Sequence, residues 1–498
     1  MSSSMSYPAS NVRSTGAGNW IEIAKLFRIF LFWMCAIYIP VWLACWGVGE
    51  LLPFLIFRFF KLTSTTVPII ETLQVITPIV AVLVFVPINA MFMVLFERRA
   101  LALFTVRKGP NRVGFDGLAQ TAADAVKLLF KEDITPRGAD AVMFTLAPII
   151  FFAPSVFGAI PLLAAVTNDH PLFVACDLPT GVFFVLAMSS IPVVGLVMGG
   201  WASNNKYSLV GGLRSAAQAI SYEIPLVLSI ITVCFLAGSL DVVKIALQQA
   251  GSPAAQSAIL QAQSVRPVDV FRLNPDAIPM SAGMLQWNLF GQGALTMTAS
   301  QFAHAERWNG VHIFASIALV ICMFLLMGIY MISATAEISR IPFDLPEAES
   351  ELVSGYNTEY SGIKFAIFFL AEFTNLYIVS TIATVMFLGG GASPIPGFFD
   401  AHMFQQILSA IGNAANISGT PQNLMWIWWI LGSMFNAVTI SSLFWAIIKV
   451  YSFVFFAILV RGTLPRFRID QLLDFGWKRL IPLTLFLFIA VSFLRELM

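Results

Sequence analysis

Six carboxylates and one arginine crowd into residues 337–360, EISRIPFDLPEAESELVSGYNTEY: Glu337, Asp344, Glu347, Glu349, Glu351 and Glu359, with Arg340 among them. The stretch joins two apolar runs, about 311–333 and 363–388, each long enough to cross a bilayer. A connector between spans needs only turn residues and solubility, so this density of charge points to charge handling beside the membrane. Glu223 and Glu372 stand within or at the edge of apolar spans, where an ionisable group is costly unless paired or hydrated. Glu347 and Glu351 are four apart and share a face if helical, so two ionised carboxylates there repel. The expectation is a raised pKa at one or both of them and a site that takes up or passes on a proton. The plainer reading is a solvated helix N-terminus, where carboxylates are favourable anyway. For Glu223 and Glu372 it is a carboxylate capped by Tyr222 or Thr374.

The elements that position these groups follow from composition. The chain has 498 residues, 58% apolar and only 11% charged, which excludes an ordinary soluble domain. The expected fold class is all-α: a polytopic membrane bundle of about eight or nine transmembrane helices plus an amphipathic surface helix. Hydropathy places the spans near 27–49, 73–96, 142–165, 180–200, 217–238, 311–333, 363–388, 425–459 and 478–496. Residues 1–72 read as an N-terminal extension with an extra membrane helix, and 73–498 as the main membrane domain.

Basic residues set the orientation. Eight fall in 97–140 and five in 461–479, against none in 166–180 or 389–424. The positive-inside rule therefore puts 97–140, 201–216, 334–362 and 461–479 on the inner side. Residues 239–310 and 389–424 become outer-side insertions, read as loops or short surface helices that cover the bundle. Five cysteines (Cys35, Cys45, Cys176, Cys234, Cys322) and four histidines are scattered, with no C-x-x-C and no metal-ligand spacing. That argues against a zinc site, an iron–sulfur cluster or a disulfide framework, and for cysteines acting as small buried hydrophobes.

Residues 97–136, ERRALALFTVRKGPNRVGFDGLAQTAADAVKLLFKEDITP, begin at the inner end of a membrane helix. They turn at Gly109-Pro110-Asn111 and continue with helical apolar spacing over 117–131 (Leu118, Ala122, Ala125, Leu128, Leu129). That is a surface helix, in which Asp124 and Lys127 are placed to pair with each other. This segment, ASNNKYSLVGGLRSAAQAISYEIPL (202–226), the 337–360 loop, AEFTN (371–375) and RGTLPRFRIDQLLDFGWKRLIPLTL (461–485) together closely resemble one family. It is the family of subunit 1, called the H subunit in bacteria, of the proton-pumping NADH:quinone oxidoreductase, respiratory complex I. The resemblance runs from about residue 73 to the C-terminus apart from the two outer-side insertions. Where the family pattern reads E-T-N-R, this chain has Glu337-Ile-Ser-Arg340, with both charged ends kept.

The resemblance implies a subunit forming the membrane side of a long, narrow quinone chamber. The iron–sulfur donor lies in adjoining hydrophilic subunits, and small and antiporter-like membrane subunits are further partners, with lipid and without nucleic acid. The substrate is a quinone, ubiquinone before menaquinone, and no metal or flavin is bound by this chain. It places the protein in an energy-transducing membrane, mitochondrial inner or bacterial inner. On this reading Arg98, Arg107, Glu337, Arg340, Phe343, Asp344 and Phe369 belong to the quinone chamber, the arginines countering a reduced quinone's charge. Glu223, Glu347, Glu349, Glu351 and Glu372 belong to the proton path. Two other readings stand beside it. One is the equivalent subunit of a membrane-bound hydrogenase or ferredoxin-dependent complex; the other is a stand-alone secondary transporter, which usually shows broken helices at the midplane.

Overall fold

The computed structural model describes residues 67–105, 107–114, 117–167, 178–251, 284–291, 310–345, 349–414 and 436–497, with single positions at 28, 174, 257, 259 and between 38 and 47. Among them the fold is all-α, and eight helices are long and apolar enough to span a membrane. Most of the expected first span, 27–49, lies outside the described residues. The other expected spans appear as α1 (Val67–Phe104), α3 (Ala141–Val166), α4 (Gly181–Ala202), α5 (Lys206–Ala237), α7 (Gly310–Glu337), α8 (Gly362–Phe387), α10 (Ala437–Thr463) and α11 (Ile469–Leu497). Between them lie the surface helix α2 (Gln120–Phe130) and two helices in the segments expected on the outer side, α6 (Val242–Ala250) and α9 (Ala401–Ala414).

Local chemistry sets the ends. Asp140, Asn205, Asp241 and Asn436 each accept hydrogen bonds from backbone N–H groups in the first turn of α3, α5, α6 and α10. α5 stops at Gly238, whose φ of +68° suits a residue without a Cβ and whose N–H donates to the Cys234 carbonyl. α11 begins earlier than hydropathy suggests, because a π turn over Gly476–Leu480 joins Ile469–Phe475 to the apolar run beyond.

Glu97 of α1, Arg340 just after α7 and Arg461 of α10 meet at one place, so parts of the basic side assigned from sequence are in direct contact. The connector at 355–361 is fixed by aromatic packing. Tyr360 stacks on Phe144 at 4.1 Å, and Phe368 meets Tyr356 at 5.3 Å and Tyr360 at 4.9 Å. Gly211 of α5 lets the backbone of Gly355 and Tyr356 come within 3 Å of where a Cβ would stand.

At the outer end, α6 is more than a cover: Val242, Ile245, Ala246 and Leu247 are buried. It carries Gln249, whose Nε2 donates to the Val385 carbonyl (2.9 Å), while Asn288 Nδ2 donates to Met386 (2.7 Å). Lys449, buried in mid-α10, donates from Nζ to the carbonyls of Leu388 (2.6 Å), Gly390 (3.0 Å) and Ala392 (2.6 Å). Its ammonium also lies over the Trp287 ring at 4.2 Å. Side chains from three elements thus satisfy the carbonyls that a helix C-terminus leaves unpaired, a requirement that lipid makes severe. Of the cysteines, Cys234 is buried and Cys322 half-buried in the apolar core; Cys35, Cys45 and Cys176 lie outside the described residues.

Candidate functional site: a buried ion network at the inner end

Glu97, near the inner end of the otherwise apolar α1, is only 6% exposed and sits between two arginines. Arg340 Nη1 donates to its Oε2 at 3.0 Å, and Arg461 Nη1 donates to its Oε1. Arg340 in turn lies 3.8 Å from Glu372 Oε2 through Nη2, with its guanidinium 4.1 Å above the Phe373 ring. The Tyr356 hydroxyl donates to Glu372 Oε1 at 2.9 Å. Two carboxylates and two guanidiniums balance when all are ionised, and only such compensation makes charges tolerable at this depth. The four charged groups come from α1, the 338–345 turn, α8 and α10, so the network ties together four separate parts of the chain.

Glu372 also faces a narrow cavity of about 50 Å3 between α3, α4, α5, α7 and α8, lined in addition by Glu337, Ser339, Asn375, Ser189 and Tyr356. A space of that size and polarity suits a short file of water rather than a ligand. Glu223 lies beside it: its carboxylate accepts from the Ser190 hydroxyl, and it is near enough for its charge to act on Glu337.

The turn that carries Arg340 is held from behind. Gln218 Nε2 donates to the carbonyls of Ala336 (2.6 Å) and Phe343 (2.7 Å), clamping both ends of the turn to α5. The Phe343 ring packs between Tyr222 (5.6 Å) and Phe467 (5.6 Å), and the Tyr222 hydroxyl donates to the Leu472 carbonyl. Asp344 is 3.7 Å from Arg466. Ile338 and Ser339 therefore face the polar cavity, whereas Pro342 and Phe343 face a larger apolar crevice of about 1170 Å3 between α7, α10 and α11.

The sequence-predicted residues fall into separate places. Arg340, Glu337, Glu223 and Glu372 are brought together along the network and its cavity. Phe343 and Asp344 stand just beyond, on the α11 side of the same turn. Arg98 and Phe369 lie elsewhere, on α1 beside α2 and on α8, and Arg107 follows α1. Arg98 pairs with Asp124 at 2.6 Å, so Asp124 is held by α1 rather than by Lys127 as its spacing suggests. That pair is about half exposed, and Asp124→Asn is expected to cost no more than about 1 kcal/mol in a melting experiment. Arg107 is exposed in the turn after α1, and Phe369 packs edge-on to Phe373 at 5.1 Å.

Glu351, one of the two carboxylates expected to form a repulsive pair, is bonded to Arg214 at 2.6 Å. That hydrogen bond, with the charges of Arg214, Arg466 and Arg468, holds its carboxyl below the usual range, so it stays ionised as the pH falls. Glu347 lies outside the described residues, as does the side chain of Glu349. Sequence reasoning passes over Glu97, Tyr356 and Arg461, because Glu97 reads with Arg98 and Arg99 as a polar helix end and Arg461 as a mark of orientation. The available signal at Glu97 is its own helix face, where Met93, Val94, Ala100 and Leu101 surround it with hydrocarbon.

An all-α bundle with eight spans among the described residues and balanced charges buried at its inner end defines a polytopic membrane protein built to keep ionised groups in low dielectric. The sequence matches the profile of the family described as NADH dehydrogenase over residues 77–271 and 278–492, and the chain belongs to that family, as its motifs suggest. It is similar to the second H subunit of the NADH-quinone oxidoreductase of Cytophaga hutchinsonii, with 36% identity over 410 residues that cover 82% of this chain and 96% of that protein. It is also similar to the H subunit of the NADH-quinone oxidoreductase of Chlorobaculum tepidum, with 37% identity over 411 residues, 82% of this chain and 89% of the relative.

Proposed function

We propose that the chain is the H-type membrane component of a proton-translocating NADH:quinone oxidoreductase, forming the membrane side of its quinone chamber. Reduction of a quinone to quinol takes two electrons and two protons. The electrons come from iron–sulfur centres in hydrophilic partner subunits on the inner side, and this chain shapes the site and handles charge. Arg98 of α1, Arg107 after it and Phe369 of α8, with the exposed Leu129 and Phe130 of α2, offer a basic and apolar surface for the quinone and its partner subunits. Phe343 and Asp344 shape the turn beneath it. Ubiquinone is the expected substrate, and small and antiporter-like membrane subunits continue the assembly in a mitochondrial or bacterial inner membrane.

The observation that carries this reading is the position of Arg340. Its turn faces the polar cavity on one side, and its guanidinium is shared by Glu97 and Glu372. Negative charge arriving on a quinone near the inner surface draws on that guanidinium. Any weakening of its hold on Glu372 favours protonation of that carboxylate. Glu372, Glu337 and Glu223 then form a row along which a proton moves through the cavity water, with Glu351 at the inner approach; Glu347 and Glu349 are assigned to the same path from the sequence alone.

Glu337→Gln or Asp344→Asn is expected to depress quinone-coupled NADH oxidation several-fold with assembly intact. Activity with ferricyanide, which bypasses the quinone, persists. If both activities fall together, these residues serve assembly instead; normal quinone turnover in both variants removes them from the site. Mass spectrometry after mild detergent extraction tests the assembly itself. Flavin- and iron–sulfur-bearing dehydrogenase subunits are expected, and a nickel–iron hydrogenase partner would move the chain to a sister complex.

A further inference from the structure

The apolar crevice of about 1170 Å3 is lined by helices other than α1, α2 and α8, and the proposed proton row does not use it. Its walls are hydrocarbon: Phe324 and Met331 from α7 face Phe453 and Phe456 from α10. Gly328, at the middle of the α7 wall, would place a Cβ with nothing within 4 Å, so the helix there borders open space. At the inner mouth α11 contributes Lys478 and Arg479 from its π turn; deeper in, the polar lining is Thr335, Ser452 and Lys449, whose ammonium is already bound to three carbonyls. Lys478 is paired with Asp474 at 2.8 Å, which leaves the mouth with a surplus positive charge on the exposed Arg479.

A long apolar slot that ends in net positive charge at headgroup level matches one kind of molecule: an anionic head on hydrocarbon tails. Basic pockets between membrane helices on the inner side are the setting in which anionic headgroups are held. We propose that this crevice is a specific binding site for an anionic phospholipid. Its phosphate rests on Arg479 and Lys478, and its acyl chains lie between α7 and α10 past Gly328. A quinone fits less well, because its head carries no charge to meet the basic mouth.

The test is lipid analysis of the intact complex purified in mild detergent, followed by exchange into phosphatidylglycerol or phosphatidylcholine nanodiscs. About one tightly held anionic phospholipid per chain is expected. Arg479→Gln lowers its retention about fivefold, and adding Lys478→Gln multiplies the effect by about the same factor. Gly328→Phe fills the slot and expels the lipid, whereas Gly328→Ala retains it. Equal retention of phosphatidylcholine, or retention indifferent to all these changes, overturns the proposal. Two other results do so too. A raised KM for a long-tailed quinone in Gly328→Phe at unchanged lipid content gives the crevice to the quinone. A lowered melting temperature at unchanged lipid content gives it to another segment of this chain. Loss of electron transfer with the lipid result as expected supports the lipid site and counts instead against the quinone-chamber reading.

Discussion

Arg340→Gln is expected to lower quinone-dependent NADH oxidation by about 100-fold, the scale of losing one preorganised charge beside a reacting group. The substitution takes away the cation that Glu97 and Glu372 share. The set then carries one excess negative charge in a setting where Glu97 is 6% exposed. Either a carboxylate takes up a proton, which fixes one end of the row in its protonated state, or the inner end loosens. Breaking a buried pair by removing one partner costs about 3–5 kcal/mol. Arg340→Lys separates the alternatives. Lysine restores the charge without the planar fork that reaches two carboxylates at once, so it should recover the melting temperature and little of the turnover. The readouts are NADH:quinone and NADH:ferricyanide activities in membranes, with thermal stability of the purified complex. Near-normal quinone turnover in Arg340→Gln would remove this network from the mechanism.

Gly211→Ala is expected to damage the site through a single added methyl group. Its Cβ would stand 2.8 Å from the Tyr356 nitrogen and 2.9 Å from the Gly355 carbonyl carbon, and backbone cannot swing aside as a long side chain can. Overpacking of this kind costs about 1–3 kcal/mol. The displaced segment is the one that aims the Tyr356 hydroxyl at Glu372 and rests the Tyr356 carbonyl on Ser208. Quinone turnover should therefore fall further than stability alone accounts for, while Tyr356→Phe reproduces the turnover defect with little loss of stability. Gly328→Ala is the control for helix composition, since its Cβ meets nothing. If Gly211→Ala behaves like that control, α5 and the connector are free to move apart.

Reading the sequence recovers what local pattern encodes. The spans from α1 onward, the surface helix and the acidic connector are each properties of a contiguous stretch, and each stands close to where periodicity and hydropathy put it. Pairing is different. Glu97 meets Arg340 across 243 residues and Arg461 across 364, and nothing within either neighbourhood names its partner. The same limit explains Glu351. Its spacing from Glu347 is legible, but Arg214, which decides its charge, comes from another helix. Lys449 passes unnoticed because one cation in a long apolar run hardly changes mean hydropathy; its meaning lies in three carbonyls about sixty residues away.

Those three carbonyls bear on how the chain is made. A lysine near the centre of a span costs about 2.5–3.5 kcal/mol on insertion. The groups that relieve it end α8 and begin the stretch after it, which a ribosome completes first. α10 therefore gains its compensation only by meeting an α8 already in the bilayer with its outer end formed. Synthesis order and the position of one charge together make the late helices assemble as a pair, and Lys449→Met should let α10 insert without α8.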